Sequence, residues 1–346
     1  MKRRTILKSA ALIPLSQTNT EKETGLFGHN HKTIKPKRLK EGDTVAMIAP
    51  SSSVPEHVLK RAIENIQKLG FKVQLSENIL AERGYLAGTE KQRLDDLHKA
   101  FSDPNIKAVW CVRGGYGATR YLPEIDYKLI KNNPKVFIGY SDITALHLAI
   151  HEKTGLVTFH GPVGTSDITD YNTQHLKNIL MNPTPQYTME LSEENKKIES
   201  NLYKSEVINP GKAKGKLIGG NLSLLSAMAG TPFFWKDLKG KLLFMEDIEE
   251  RPYRVDRMLT QLLQSTDMTK AAGIILGIFE GCNPKPDERS LTLMDCLKDR
   301  LAPLNIPIMY GYSFGHIKNQ CTLPVGIEAE MDTEKGTITL LENAVL

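Results

Sequence analysis

Short apolar runs alternate with amphipathic stretches over the first half of this 346-residue chain. The runs have the length of buried strands, and the stretches between them repeat apolar residues at helical spacing. The predicted strands are 43–49, 71–75, 108–112, 136–139 and 157–160, and the predicted helices are 56–69, 89–101 and 143–151. This alternation is typical of an α/β fold with a doubly wound parallel sheet.

Polar or glycine-rich turns follow several of these strands: 51–53, 113–117 and 140–142. The carboxyl ends of parallel strands meet at one edge of the sheet, and ligands of such folds bind there. We therefore expect the three turns to border one site.

The second half repeats the pattern after a segment, 183–211, that is rich in proline and charge and lacks helical periodicity. We interpret that segment as a linker able to supply edge strands. The strands predicted beyond it are 217–222, 241–245, 273–278, 306–309, 325–331 and 336–341, and the helices are 223–229, 253–263 and 291–301. This predicts an N-terminal domain over 38–182 and a second α/β domain over 212–346, with the active site in the cleft between them.

The turn Gly139-Tyr140-Ser141-Asp142 joins a predicted strand directly to a predicted helix. A serine at such a corner has its hydroxyl exposed beside the first free N–H groups of the helix, as in a nucleophile elbow. The usual elbow has glycine two residues after the serine, and this chain has Ile143 there. A helix N-cap at Ser141 or Asp142 explains the same residues, so the local pattern leaves both interpretations open.

A nucleophilic serine needs a base and a carboxylate that orients the base. His316 and His160 are candidate bases: His316 lies in a glycine-flanked turn after the predicted strand 306–309, and His160 ends the predicted strand 157–160 before a glycine. Glu246 is the candidate carboxylate, at the end of an apolar strand, and its competitors are Asp247, Glu249 and Glu250. Each of these residues has an ordinary structural alternative, a hydrogen-bonded loop histidine or a solvated acidic turn.

The pair Gly114-Gly115 is either a plain turn or a backbone donor that approaches substrate closely. Neither of the common phosphate-binding glycine patterns is present. The histidines lack zinc-ligand spacing and the four cysteines form no C-x-x-C pair, so the sequence favours no metal site. Basic residues do not cluster with aromatic ones, which argues against nucleic-acid binding.

The first eight residues carry most of the net charge of +5 and include Arg3-Arg4 ahead of a short apolar run. This resembles a twin-arginine export signal, followed by a polar spacer up to residue 37. No apolar run is long enough to span a membrane. We expect an exported, periplasmic protein, with cytoplasmic location as the alternative.

Several motifs in order along the chain share one resemblance. They are Gly42-Asp43-Thr44-Val45, Ala49-Pro50-Ser51-Ser52, Arg113-Gly114-Gly115-Tyr116-Gly117, Gly139-Tyr140-Ser141-Asp142, Phe159-His160-Gly161-Pro162, Gly219-Gly220-Asn221-Leu222, Leu243-Phe244-Met245-Glu246-Asp247 and Gly315-His316. Together they resemble the LD-carboxypeptidase family, the muramoyl-tetrapeptide carboxypeptidases, and the related microcin-immunity serine peptidases.

The resemblance implies a triad of Ser141, Glu246 and His316, and an oxyanion hole formed by the backbone N–H groups of Gly115 and Asp142. It implies hydrolysis of the L,D amide bond between a diamino acid and a terminal D-alanine of murein tetrapeptides, through an acyl-enzyme. No cofactor is needed for that chemistry, and a homodimer is plausible by family resemblance.

Candidate contacts to substrate are Arg113, Asn221 and Arg254, of which the two arginines could pair with a terminal carboxylate. One alternative keeps the chemistry and changes the substrate to peptidyl-nucleotide toxins or other acyl-amino-acid amides, with Trp235 and Tyr116 as possible base-stacking residues. Another is an exported solute-binding protein without turnover, which has no use for a Ser-Glu-His set.

Overall fold

The computed structural model describes residues 32–235 and 237–346. The predicted twin-arginine signal and most of the predicted spacer lie outside the described residues. Within the described residues, no helix is both long enough and apolar enough to cross a membrane.

The first sheet has six strands in the order β12-β5-β4-β3-β1-β2. Its strands are β1 (Thr44–Ile48), β2 (Lys72–Leu75), β3 (Ile106–Cys111), β4 (Val136–Gly139), β5 (Thr158–His160) and β12 (Leu323–Val325). The helices between them are α1 (Glu56–Lys68), α2 (Glu90–Ser102), α3 (Tyr127–Asn132), α4 (Thr144–Thr154) and α5 (Asp170–Leu180). The pairs among β1 to β5 are all parallel, as predicted, whereas β12 arrives from the far end of the chain and pairs antiparallel with β5.

The second sheet has eight strands in the order β6-β14-β13-β8-β9-β10-β11-β7. Its strands are β6 (Tyr187–Met189), β7 (Glu206–Asn209), β8 (Lys212–Asn221), β9 (Lys241–Ile248), β10 (Gly273–Glu280), β11 (Ile308–Gly315), β13 (Glu328–Asp332) and β14 (Thr337–Leu340). The helices in this part are α6 (Glu193–Lys196), α7 (Leu222–Met228), α8 (Pro252–Ser265) and α9 (Leu293–Leu301). The central pairs from β8 to β11 are parallel and the outer pairs are antiparallel, which makes this an α/β domain with a mixed sheet.

The segment 183–211 contributes β6 and β7, which form the two opposite edges of the second sheet. The predicted single strand over 325–331 is wrong: it is split into β12 and β13, which belong to different sheets. Gly326 between them has a φ of +95°, a conformation that ends a strand. The chain therefore crosses from the first sheet to the second at this glycine.

Helix α4 connects the two domains, because it follows β4 of the first sheet and packs against elements of the second. Most of its residues are buried. The hydroxyl of Thr144 accepts a hydrogen bond from the backbone N–H of Asn221, at 3.0 Å. A side chain on Gly220 would approach the Thr144 side chain to 2.5 Å, so the close contact requires glycine. The start of α4 is thus fixed by both domains.

Candidate active site

Ser141 follows β4 and has a left-handed backbone conformation, with a φ of 66°. This backbone conformation is unfavourable for residues with a side chain, and residues that are held in it cluster at functional turns. A short 3-10 turn over Ser141–Ile143 leads from it into α4. The strand, the strained serine and the helix that follows form the elbow geometry, in which the hydroxyl lies beside the helix N-terminus.

The glycine pair after β3 lies directly against Ser141. A side chain on Gly114 would come within 2.8 Å of the Ser141 Cβ and 3.1 Å of its hydroxyl oxygen. Gly115 has a φ of +114°, and a side chain there would collide with Ser52. Both positions require glycine, and Gly115 is exposed beside the serine, where its N–H can face a bound carbonyl.

The Asp142 side chain ties this glycine loop to the elbow. It is buried and accepts a hydrogen bond from the backbone N–H of Ala118, at 2.8 Å. Arg93 of α2, also buried, donates to the carbonyl of Gly117 at 2.8 Å and to that of Pro50 at 3.2 Å. Arg93 has no role predicted from the sequence, because the spacing of residues along a helix does not reveal a buried arginine.

His316 follows β11 immediately, and its Nδ1 lies 2.7 Å from Oε2 of Glu246 at the end of β9. Glu246 is fully buried, and the His316 side chain is 13% exposed. Gly315, with a φ of +122°, brings the backbone of β11 against Glu246: a side chain there would lie 3.3 Å from Oε2 and 2.7 Å from the Ile278 carbonyl. The pair is held between two strand ends, as expected for an oriented base.

The His316–Glu246 pair favours the charged form of both partners. Burial works to raise the pKa of Glu246, but the neighbouring His316 and its hydrogen bond outweigh burial, so the Glu246 pKa is lowered. Burial likewise works to lower the pKa of His316, but Glu246 outweighs it and the His316 pKa is raised. The carboxylate therefore stays ionised and stabilises an imidazolium on His316.

Ser141, His316, Gly114, Gly115 and Arg113 line one open cleft of about 300 Å³. The remaining lining residues are Val58, Tyr140, Val163 and Thr165. A hydroxyl, an oriented imidazole and backbone N–H donors that border one space can carry out acyl transfer. Two of the three turns predicted to share a sheet edge, 113–117 and 140–142, line this cleft with the second domain's His316, and the third, 51–53, contacts the glycine loop through Ser52.

Comparison with known proteins finds matches to both domains. Residues 45–161 match the LD-carboxypeptidase N-terminal domain and residues 214–331 match the LD-carboxypeptidase C-terminal domain. The probable murein peptide carboxypeptidase of Bacillus subtilis is 42% identical over 91% of this chain and 96% of its own length. The murein tetrapeptide carboxypeptidase of Pseudomonas aeruginosa is 34% identical over 83% of this chain and 92% of its own length.

The chain belongs to the LD-carboxypeptidase family. A solved structure of the microcin C7 self-immunity protein MccF in complex with aspartyl sulfamoyl adenosine aligns with a TM-score of 0.82 and 27% identity, over 90% of this chain and all of that one. The resemblance stated from the sequence motifs and the two-domain α/β fold are both confirmed. The protein is an enzyme, a serine-type carboxypeptidase by family.

The three residues predicted to contact substrate in this LD-carboxypeptidase family member lie in different surroundings. Arg113 borders the cleft and donates to the Ser53 carbonyl at 3.3 Å. Asn221 is buried, caps α7 and donates to Asp247 at 2.9 Å. Arg254 lies on the exposed first turn of α8, 3.4 Å from Glu250. All three contacts to substrate remain predictions, and Arg113 has the most direct access.

Two competitors for the triad positions, Asp247 and His160, are buried away from the cleft. Asp247 accepts hydrogen bonds from the N–H and the hydroxyl of Ser223 at the start of α7. Burial, with the charge of Glu246 added, raises the pKa of Asp247 to about 6. His160, the second candidate base, is fully buried, and burial lowers its pKa to about 4. Neither side chain is available to a substrate in the cleft.

Proposed function

We propose that this enzyme removes the C-terminal D-alanine from murein tetrapeptides by hydrolysing the L,D amide bond after the diamino acid. The observation that carries the proposal is the shared cleft of Ser141, in its strained turn, and His316, whose imidazole is bonded to buried Glu246. The names of the Bacillus and Pseudomonas relatives support the choice of substrate.

In the proposed reaction the Ser141 hydroxyl attacks the carbonyl of the diamino acid while His316 accepts its proton. Glu246 stabilises the imidazolium, and the N–H groups of Gly115 and Asp142 receive the oxyanion. Each such donor is worth roughly 3 kcal/mol in related acyl transfer. His316 then protonates the leaving D-alanine amine, and water releases the tripeptide from the acyl-enzyme.

The terminal carboxylate of the substrate needs a cation near the scissile bond, and we assign this role to Arg113. Among the described residues that line the cleft, Arg113 is the one arginine or lysine. A guanidinium can bind a carboxylate through two parallel hydrogen bonds. An Arg113→Lys variant should therefore bind the tetrapeptide more weakly, by about tenfold in KM, with a smaller change in kcat.

The direct test is mass spectrometry of a free tetrapeptide ending in diaminopimelyl-D-alanine after incubation with the enzyme. The expected product is the tripeptide, formed with release of one alanine. Two control peptides define the specificity: the same peptide ending in L-alanine, and the pentapeptide that carries a second D-alanine. Equal cleavage of the L-alanine peptide would contradict the L,D assignment.

A second candidate substrate is a peptidyl-nucleotide, in which the same triad hydrolyses the acyl-amide next to the nucleotide. The alignment with MccF bound to aspartyl sulfamoyl adenosine supports it. Tyr116, on the glycine loop, is 49% exposed and could stack on a base, whereas Trp235 is only 3% exposed and could not without rearrangement. A competition experiment distinguishes the two candidate substrates. It measures aspartyl sulfamoyl adenosine against the murein tetrapeptide in wild type and in Tyr116→Ala.

We also propose export through the twin-arginine pathway and a homodimeric assembly. The arginine pair at positions 3 and 4 supports export. Replacement of both arginines by lysine should retain the protein in the cytoplasm, as measured by cell fractionation.

Sedimentation equilibrium tests the dimer, for which a mass near twice the 38.7 kDa chain is expected.

A further inference from the structure

A second histidine lies behind the triad and takes no part in the proposed mechanism. His160, at the end of β5, is fully buried, and neither ring nitrogen has a hydrogen-bond partner among the described residues. A buried imidazole without a partner is costly, because both of its nitrogens lose their hydrogen bonds to water. Such a side chain requires an explanation in the site around it.

His160 lies in the interface between the two domains, facing the strand that carries Glu246. Its ring centroid is 5.3 Å from that of Phe244 on β9 and 6.3 Å from that of Phe314 on β11. Phe244 and Glu246 are two residues apart on one strand, so their side chains lie on the same face of the sheet. The charge of Glu246 is close enough to act on the pKa of His160.

One carboxylate oxygen of Glu246 is free to accept a further hydrogen bond. Its Oε2 is bonded to His316, but its Oε1 is buried and has no hydrogen-bond partner within the described part of the chain. The Asn221 amide, which also acts to lower the pKa of Glu246, has its hydrogen bond with Asp247. The carboxylate oxygen of Glu246 and the imidazole of His160, both buried and without a partner among the described residues, therefore lie close enough for their charges to interact.

We propose that His160 is a positioning residue: its neutral imidazole donates a hydrogen bond that reaches Oε1 of Glu246 through one buried water, and so holds the carboxylate ionised toward His316. The imidazole is neutral because burial lowers the pKa of His160 to about 4. A neutral imidazole carries one N–H, which matches the one free acceptor of Glu246. This inference rests on the proposed Ser141, Glu246 and His316 machinery.

The titratable groups around His160 come from four elements. They are Tyr140 after β4, with ring centroids 6.1 Å apart, His147 on α4, at 6.4 Å, Glu246 on β9, and His316 after β11. The Nε2–H group of His147 donates to the Gly139 carbonyl, 2.8 Å away, and burial lowers the pKa of His147 to about 3. Only Glu246 among these groups offers a charged acceptor.

The proposed hydrogen bond fixes the direction in which the pKa of His316 changes when the donor at position 160 is removed. A donor to Glu246 stabilises the carboxylate most when His316 is neutral, because the imidazolium otherwise compensates the negative charge. Loss of the donor thus destabilises the deprotonated pair more than the protonated pair. The pKa of His316 should rise by about one unit in His160→Phe, in line with the strength of a hydrogen bond to a buried charge.

The test is an NMR titration of the His316 imidazole in wild type, His160→Phe, His160→Gln and His147→Phe. His160→Phe keeps the ring and removes the donor, His160→Gln keeps a donor, and His147→Phe makes the same change at an equally buried histidine. We expect a rise of about one unit in His160→Phe alone, with the acid limb of kcat/KM shifting equally and activity at pH ~7 falling about tenfold. If His160→Phe does not fold, His160→Met also lacks a donor and replaces it.

An unchanged His316 pKa in the donorless variant would overturn the proposal. An equal shift in all three variants would overturn it too, because that pattern reports packing alone. The titration needs no substrate, so it is independent of the proposed function. An enzyme that releases no D-alanine but shows the predicted shift would contradict the substrate and leave the role of His160 intact.

Discussion

Ser141 occupies a backbone conformation that costs free energy in any residue with a side chain. The turn persists because Gly114 packs on the serine and the two domains fix the start of α4. The strain places the hydroxyl at the cleft, and its cost is measurable. Replacement of Ser141 by glycine should relieve it, whereas replacement by alanine should not.

We therefore expect Ser141→Gly to be more stable than Ser141→Ala by about 1 kcal/mol, measured by urea unfolding. Both variants remove the hydroxyl, so the comparison isolates the backbone term. Equal stabilities would show that the left-handed turn is unstrained. Glu64, at an exposed helix position, provides the control, because there the order should reverse. Glycine at position 64 should be less stable than alanine by a similar amount.

The Glu246–His316 pair makes a second prediction, on pH dependence. The enzyme needs neutral His316, and Glu246 raises the His316 pKa above its ordinary 6.5. The acid limb of kcat/KM should therefore have its midpoint above 6.5. Glu246→Gln removes the largest effect that raises this pKa and leaves burial against the weaker charges of Asp247 and Glu249, so the midpoint should fall while kcat drops by about 10²-fold or more. A midpoint that rises in the variant would contradict the pair's assigned role.

At the scale of elements, the glycine loop and the elbow form one unit through Asp142. Its carboxylate accepts from Ala118, and burial raises the Asp142 pKa against the effect of the surrounding donors. Asp142→Asn weakens these contacts without changing the side-chain shape. We expect faster hydrogen exchange at residues 113–118 and a fall of about tenfold in kcat. Unchanged exchange with reduced kcat would mean that the side chain acts in another way.

Most elements near the site follow from their sequence pattern. The strand 136–139 is observed with the predicted bounds, and Thr89 caps α2 with a complete capping box. Helix α5 was not predicted, because its polar residues hide a narrow buried stripe. Strand β11 runs six residues beyond its predicted end, to Gly315, because the glycines that suggested a turn instead allow close contact with Glu246 and Ser205.

The sequence predicts a site residue when its residue type and its place in the local pattern indicate its role. It does not predict a role that depends on partners from distant segments of the chain. Ser141 and Glu246 follow strands whose ends the hydrophobic pattern marks, and His316 lies in the glycine-flanked segment beyond the predicted strand 306–309. The role of Arg93 was not predictable, and His160 was predicted only as a candidate base, because the roles of both depend on tertiary neighbours. The position of β12 was equally hidden, since pairing across more than 160 residues leaves no local signal.

At the scale of the whole molecule, the two domains share structure. Strand β12 completes the first sheet although the chain on either side of it belongs with the second, and α4 packs on β8 and α7. Each domain contains one tryptophan, Trp110 on β3 and Trp235 after α7, and both are buried. The shared elements predict one cooperative unfolding transition for the described body.

Single-tryptophan variants test this prediction. Fluorescence of Trp110 in Trp235→Phe and of Trp235 in Trp110→Phe should each give the same denaturant midpoint as far-ultraviolet circular dichroism of the same variant. Comparison within one variant removes any effect of the substitution on stability. A fluorescence midpoint that precedes the dichroism midpoint would show that one domain unfolds independently.

The most direct measurement of the central claim is the rate of D-alanine release from the diaminopimelyl-D-alanine tetrapeptide by wild type and by Ser141→Ala. Rapid quenching and peptide mapping of the wild-type reaction should also find the tripeptidyl adduct on Ser141. We predict release by wild type and a loss of about 10⁴-fold or more in the variant, with its fold intact by circular dichroism. Release by Ser141→Ala at a rate near that of wild type would contradict the account.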